Sequence, residues 1–154
     1  FLSRLLLKFG FHPRFVHMVM NNLTSSWFSI LINGGQHDFF QPSRGLKQGD
    51  PLSPFLFILV SEVLSQELIK LVNSGAVHSY AQSRGTSLVS HLVFANDIII
   101  FTTGDLRSVK ALMHLLDVYQ DGSSQMVNKD KSFYVTSSRC PSSRERLISR
   151  LTGM

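Results

Sequence analysis

The stretch from His91 to Phe101, HLVFANDIIIF, most constrains the fold of this chain. Two short apolar runs, rich in β-branched and aromatic residues, flank Ala95, Asn96 and Asp97. Such runs joined by about two polar residues predict a tight β-hairpin. Because apolar residues occupy both faces of both arms, we expect the hairpin to lie in the middle of a core. A carboxylate is costly there without a partner, so Asp97 is either a turn residue that reaches the surface or a ligand for a cation.

The composition is that of one folded domain with a modest positive charge. The 154 residues are 44% hydrophobic and include 12 phenylalanines, which favours a packed core over disorder. The net charge of +5 favours a polyanionic partner, although an ordinary basic domain explains it equally well. The single cysteine, Cys140, excludes an internal disulfide and a cysteine-based zinc cluster, and it fits a reducing, intracellular compartment. No apolar run reaches the roughly 18 residues of a membrane span, so we expect no membrane partner.

The first third of the chain predicts two helices followed by a β-ribbon. The first helix ends at Gly10, and a second begins at Pro13. The strand-like run WFSILING ends in a strong turn signal, Asn33-Gly34-Gly35, and the return segment holds Phe39 and Phe40. The ribbon is followed by the most informative segment of the sequence.

That run, RGLKQGDPLSPFLFILVSEVLSQEL, begins at Arg44. A carboxylate followed by a proline, Asp50-Pro51, predicts a helix N-cap and first helical position, with the helix running to about Lys70. The loop before it has side-chain donors and glycines beside the positive end of the helix dipole, and these are Arg44, Lys47, Gln48, Gly45 and Gly49. Such a loop would hold a phosphate-bearing ligand, and a solvated surface role for Arg44 and Lys47 is the alternative.

The last third predicts a helix, a strand and a second helix. The first helix should run from about Asp105, its N-cap, to Tyr119. The segment FYVTSS predicts a strand with Lys131 just before it. A linker-like stretch, SSRCPSS, then precedes the short basic helix SRERLISRL.

Four segments resemble conserved blocks of reverse transcriptases from non-LTR (LINE-type) retrotransposons of plants. RGLKQGDPLSPFLFILVSEVLS resembles the fourth block, and FSILINGG with the following FF and PSRGL resembles the block before it. HLVFANDIIIF resembles the next block, usually HL-x-FADD-x-x-x-F, and SSQMVNKDKS resembles the later block SGQ-x-x-N-x-x-KS. The four lie in the family's order and cover roughly residues 24 to 140.

This resemblance implies an α+β fold: a polymerase palm-type antiparallel sheet backed by helices and truncated on its N-terminal side. We expect a partial palm domain over residues 1–140, and a linker with the start of a following region over 141–154. The implied activity is RNA-directed DNA synthesis, in which deoxynucleoside triphosphates extend a DNA primer on an RNA template by two-metal phosphoryl transfer with Mg²⁺. The oligomeric state and the compartment, with the nucleus included, stay open.

The resemblance also assigns roles to single residues. Gln48 and Gly49 match positions that contact the incoming nucleotide and the template, and Arg44, followed by Lys47, matches the basic residue before them. Lys131 matches a lysine placed near the triphosphate.

The hairpin matches the box that carries the paired aspartates of the family. Phe94 fills its aromatic position, as a packing residue beside the primer end, and Asp97 matches the second aspartate, a metal ligand. Asn96 stands at the first aspartate and loses its charge. A unit charge about 4 Å from a metal is worth roughly 4 kcal/mol per unit of metal charge at an effective dielectric near 20. We therefore expect a loss of about a thousandfold or more in rate.

A second departure concerns the family's earlier aspartate, which lies ahead of a segment like FLSRLLLKFGF, where this chain begins. Asp38, Asp50 and Asp105 do not match that position. We therefore expect that the chain as given neither binds the metal pair tightly nor polymerises, which leaves its status as an enzyme uncertain. The alternatives are a catalytically dead module that still binds nucleic acid, and a degenerate copy of the element with no retained function.

Overall fold

The computed structural model describes residues 1–43, 45–80 and 89–154. The chain divides into two compact units, residues 1–61 and residues 62–154, and the division falls within one long helix. The helices are α1 (Leu2–Lys8), α2 (Pro13–Thr24), α3 (Ser53–Asn73), α4 (Leu106–Ser123) and α5 (Ser142–Thr152). The strands are β1 (Phe28–Ile32), β2 (Gly35–Phe40), β3 (His91–Phe94) and β4 (Asp97–Ile100). Helices combined with small antiparallel sheets confirm the expected α+β class.

In the first unit, helices α1 and α2 pack against the N-terminal half of α3. Gly10, with φ of +84°, ends α1 in the left-handed conformation, and Pro13 begins α2, both as predicted. The buried residues of this core are Leu6, Val16, Val19 and Leu56. Apolar spacing along each helix thus produces the core of this unit.

Strands β1 and β2 form the predicted ribbon in the same unit. Asn33 and Gly34 both have positive φ, 50° and 81°, which is the signature of a type I′ hairpin turn. The register shifts between Ser29 and Ile30, and Asp38, with φ of 51°, is the extra residue of this bulge. Every residue of β2 is exposed.

In the second unit, the C-terminal half of α3 packs against α4 and one face of the β3–β4 hairpin. The buried core residues are Leu64, Leu68, Val77 and Leu112, and Ile98 and Ile100 of β4 pack against them. The expectation that the hairpin lies in the middle of a core is wrong. Leu92 and Ile99 remain 53% and 58% exposed, because among the described residues these helices cover only one face of the hairpin.

The prediction of a strand at FYVTSS is also wrong. Residues 132–138 adopt no strand, because within the described ranges no backbone segment pairs with them. The alternation typical of a strand is nevertheless present. Phe133 and Val135 are 80% and 84% exposed, whereas Tyr134 and Thr136 hydrogen-bond to Glu145 of α5.

Asp105 caps α4, as predicted, and also ties neighbouring segments together. Its carboxylate accepts hydrogen bonds from the Ser108 backbone N–H at 3.0 Å, the Ser108 hydroxyl at 2.6 Å and the Thr103 hydroxyl at 2.8 Å. His78 Nδ1 lies 3.1 Å from the same carboxylate. The Ser108 hydroxyl in particular holds the pKa of Asp105 well below its usual range.

Replacing Asp105 with alanine should lower the free energy of unfolding by about 1 kcal/mol near neutral pH, as for other lost N-caps. The folded pKa lies below the unfolded value of about 3.9, so this stabilisation is complete above about pH 5 and is lost as pH falls. Urea midpoints over a pH series should therefore converge for wild type and Asp105→Ala on the acid side. Asp130→Ala, in an exposed turn, is the matched control. A difference that does not change with pH would contradict this account.

Candidate functional site

Residues Lys47 to Asp50 form a tight turn that displays Gln48 and Gly49 at its corners. The Asp50 N–H donates to the Lys47 carbonyl at 3.4 Å, and Gly49 has φ of +82°. This fits a type II turn, whose third residue requires φ of about +80° and is therefore usually glycine. Lys47, Gln48 and Gly49 are all exposed, so a ligand can reach them.

Both ends of this turn are anchored to residues at the start of α3. The Ser53 hydroxyl donates to the Lys47 carbonyl at 2.6 Å, and the Leu52 N–H donates to Asp50 Oδ1 at 2.8 Å. The helix begins at Ser53, so the prediction of Asp50 as the N-cap and Pro51 as the first helical residue is wrong, and both residues lie ahead of the helix. The reason is that the Ser53 N–H bonds to the Asp50 carbonyl, three residues back, which forms a tighter entry than an α-helical turn.

A second anchor comes from α2. The side-chain amide of Asn22 donates to Asp50 Oδ2 at 2.9 Å. The Leu52 N–H and then Asn22 lower the pKa of Asp50, which keeps its carboxylate charged. Asn22 was not predicted as a site residue, since no local pattern relates two residues that lie 28 positions apart.

A cavity of about 320 Å³ lies beside the turn, within the first unit. Its lining includes the polar residues Lys47, Gln48 and Ser26 and the apolar residues Leu23, Phe28 and Leu46. Arg44, the remaining predicted contact of this loop, lies outside the described residues.

The hairpin places Asp97 at the first residue of β4, directly opposite Phe94 of β3. The turn itself contains only Ala95 and Asn96. Ala95 has φ of +51°, a left-handed conformation that is uncommon for alanine. Asp97 is thus part of the strand pairing rather than a turn residue.

Cross-strand pairing decides which way these side chains face. Leu92 pairs with Ile99, and Phe94 with Asp97, so all four share one face of the hairpin. The opposite face carries Ile98 and Ile100 into the core. Phe94 is 84% exposed, and Asn96 and Asp97 are exposed as well. The contact of Phe94 with a primer stays a prediction.

Lys131 lies in the second unit, in a turn that follows α4. Its N–H donates to the Asn128 carbonyl and to Asn128 Oδ1, both at 3.2 Å. Its side chain is exposed, and within the described ranges it makes no hydrogen bond or ion pair with the hairpin. The structure therefore brings together Lys47, Gln48 and Gly49 in one unit and Phe94, Asn96 and Asp97 in the other.

The hairpin tip offers a metal ion the carboxylate of Asp97 and the amide oxygen of Asn96. Among the described residues, no group of three or more histidine, cysteine or acidic side chains could hold a metal ion. Asp50 and Asp105 already accept several hydrogen bonds each, and Asp38 lies in the β-bulge of the other unit. No helix in the described ranges is long and apolar enough to cross a membrane.

The model of the family described as "Reverse transcriptase (RNA-dependent DNA polymerase)" matches residues 1–145, and the chain belongs to this family. Two relatives come from retrotransposons. The chain is 32% identical over 133 residues to a retrovirus-related Pol polyprotein from the type-2 element R2DM of Drosophila melanogaster, covering 84% of this chain and 11% of that protein. It is 27% identical over 108 residues to the Pol polyprotein of a type-1 R2 element of Popillia japonica, covering 67% of this chain and 16% of that protein.

A further relative is an uncharacterised mitochondrial protein of Arabidopsis thaliana. It is 45% identical over 68 residues, which cover 44% of this chain and 56% of that protein. The chain thus spans about half of this relative and a small part of the two polyproteins. These matches confirm the predicted relationship to retrotransposon reverse transcriptases.

Replacing Gly49 with alanine should lower the free energy of unfolding by about 1–2 kcal/mol, the cost of a left-handed conformation for an L-residue. The added methyl group meets no atom within 4 Å, so backbone strain rather than a clash causes the loss. Urea unfolding measures it, with Gln48→Ala as the control because Gln48 has no positive φ. Equal stability of the two variants would show that Gly49 is not held in this conformation.

Proposed function

We propose that this chain is a reverse transcriptase segment that contacts nucleic acid but does not complete a two-metal polymerase site. Its family generally binds nucleic acids and nucleotides and uses divalent metal ions. The observation that carries the proposal is the exposed hairpin face, on which Phe94 and Asp97 lie side by side while Asn96 occupies the turn. An aromatic ring next to a polar tip offers a base a stacking surface.

The exposed turn at Lys47–Asp50 supports the same partner. Lys47 supplies a positive charge, Gln48 a side-chain amide, and Gly49 a backbone without a side chain that a ligand can approach closely. These are groups that bind phosphate and the edges of bases. We assign the RNA template, the DNA primer and the deoxynucleoside triphosphates as ligands of these two elements, with Arg44 and Lys131 as additional phosphate contacts.

The hairpin does not fit a pair of magnesium ions. Mg²⁺ requires hard, charged oxygen ligands in octahedral geometry, and two ions about 4 Å apart need several bridging carboxylates. Asp97 offers one carboxylate, and the amide of Asn96 is neutral. The proposal therefore includes no phosphoryl transfer by this chain alone, and it favours retained binding over an active polymerase.

Asn96→Asp should raise the apparent affinity for Mn²⁺, used as a probe, by about tenfold, because a second carboxylate then lies beside Asp97. Electron paramagnetic resonance titration of free Mn²⁺ measures this change. Asn73→Asp, the same substitution at the exposed C-terminal residue of α3 in the same unit, should leave the affinity nearly unchanged.

Primer extension by both the wild type and Asn96→Asp should stay at background, since two carboxylates still fall short of the metal cluster of the family. Clear extension by the single variant would show that a third carboxylate has been overlooked. Extension by the wild type would overturn the proposal of inactivity.

Lys47→Ala should weaken binding of a short fluorescein-labelled RNA–DNA hybrid and reduce the slope of log K against log salt by about one. Fluorescence anisotropy at several salt concentrations measures both quantities. Lys8→Ala, which removes an exposed lysine of α1, is the charge-matched control. If the two variants behave alike, binding depends on net charge rather than on the turn.

A further inference from the structure

The two ends of the Lys47–Asp50 turn are held in different ways. At the first end, the carbonyl of Lys47 accepts a hydrogen bond from the Ser53 hydroxyl at 2.6 Å, and these two residues lie close to each other in the sequence. At the other end, Asp50 uses its two carboxylate oxygens separately. Oδ1 accepts from the Leu52 N–H, and Oδ2 accepts from the side chain of Asn22 in the last turn of α2.

We propose that Asn22 is a positioning residue that fixes the Gln48-Gly49 turn for its ligand by holding Asp50. This inference rests on the proposed function of the turn as a contact for nucleic acid. The role that we assign to Asn22 is indirect. It acts through Asp50, which directly follows the displayed corner of the turn.

The hydrogen bond from Asn22 to Asp50 acts as a tether, and the backbone of the turn explains why the turn needs one. Glycine has more accessible conformations than other residues, so a turn built around Gly49 loses more entropy when a ligand orders it. Rigidifying a loop in its bound conformation before the ligand arrives reduces that cost. The bond from α2 supplies this restraint from outside the turn, since α2 is held by its own buried residues Val16 and Val19.

The hydrogen bond between Asn22 and Asp50 requires one donor and one acceptor. An amide N–H pointing at a carboxylate is a charge-assisted hydrogen bond, stronger than one between neutral groups. Asn22→Asp would place two carboxylates against each other, whereas Asn22→Ala would remove the donor only. Exchanging the residues, Asn22→Asp with Asp50→Asn, restores a bond of the same type with donor and acceptor reversed, and it leaves an oxygen on residue 50 for the Leu52 N–H.

Hydrogen exchange of the turn amides tests the tether without any ligand. The Asp50 N–H, which bonds to the Lys47 carbonyl, should exchange about threefold to tenfold faster in Asn22→Ala and faster still in Asn22→Asp. The exchanged pair should return the protection factor, which is the intrinsic exchange rate of each sequence divided by the measured rate, to within about twofold of the wild type. Asn21→Ala is the matched control, because the adjacent Asn21 bonds to His17 within α2 and not to the turn. Unchanged exchange in both Asn22 variants would overturn the inference.

Anisotropy with the same RNA–DNA hybrid tests whether the tether matters for binding. Asn22→Ala should weaken binding by about threefold to tenfold, and the exchanged pair should recover it. In a Gln48→Ala background the effect of Asn22→Ala should be clearly smaller, because Asn22 then positions one ligand contact fewer. Equal loss in both backgrounds would overturn the positioning role.

The two proposals fail in different ways. If Lys47→Ala and Gln48→Ala bind as the wild type does, the proposed function of the turn is wrong, and the exchange rates still decide whether Asn22 holds it. If these two variants bind weakly while both Asn22 variants bind normally, the turn binds nucleic acid and the positioning role of Asn22 is wrong.

Discussion

Packing of Ile98 and Ile100 against the buried core of the second unit determines which face of the β3–β4 hairpin is exposed to solvent. Side chains alternate along a strand, so burying one face commits every other residue to the opposite one. Asp97 is one residue out of step with Ile98 and therefore faces outward with Phe94. A shift of the register by one residue would bury the carboxylate among leucines, which is costly without a partner. The hydrophobic core thus determines where the polar tip can act.

Asp105 fixes the segment that follows β4 and leads to α4. Its bonds to Thr103 and Ser108 hold the segment between β4 and α4, and the His78 carbonyl accepts from the N–H of Thr103 at 3.1 Å. Asp50 has a similar role in the other unit, where it connects α2, the turn and α3. In each unit an aspartate near a helix start organises the loop beside it, so these carboxylates are structural ones.

Features that depend on neighbouring residues were predictable from the sequence. The Asn33-Gly34 turn, the start of α2 at Pro13 and the Asp105 cap each follow from the local backbone preferences of those residues. The Gln48 and Gly49 corner was recognised through its resemblance to a conserved block, and the structure adds the type II geometry that requires the glycine. Whether these residues bind a nucleotide stays a prediction.

Features that depend on distant partners were not predictable. Apolar residues on both faces of HLVFANDIIIF indicate two surfaces that could be covered, but not whether the second one is covered. FYVTSS has the alternation of a strand, but a strand also needs a partner backbone, which the sequence pattern does not specify. The bond from Asn22 to Asp50 joins residues 28 positions apart and has no periodic signal.

We propose that nucleic acid contacts this chain at the exposed face of the β3–β4 hairpin and at the Lys47–Asp50 turn. Photo-crosslinking of an RNA–DNA hybrid containing 4-thiouridine, followed by peptide mapping, tests it most directly. If this proposal is right, crosslinks form at Phe94 and at Lys47 or Gln48. Crosslinks confined to the arginines of α5, or spread over all basic residues, would contradict it and would leave only a general attraction of positive charge.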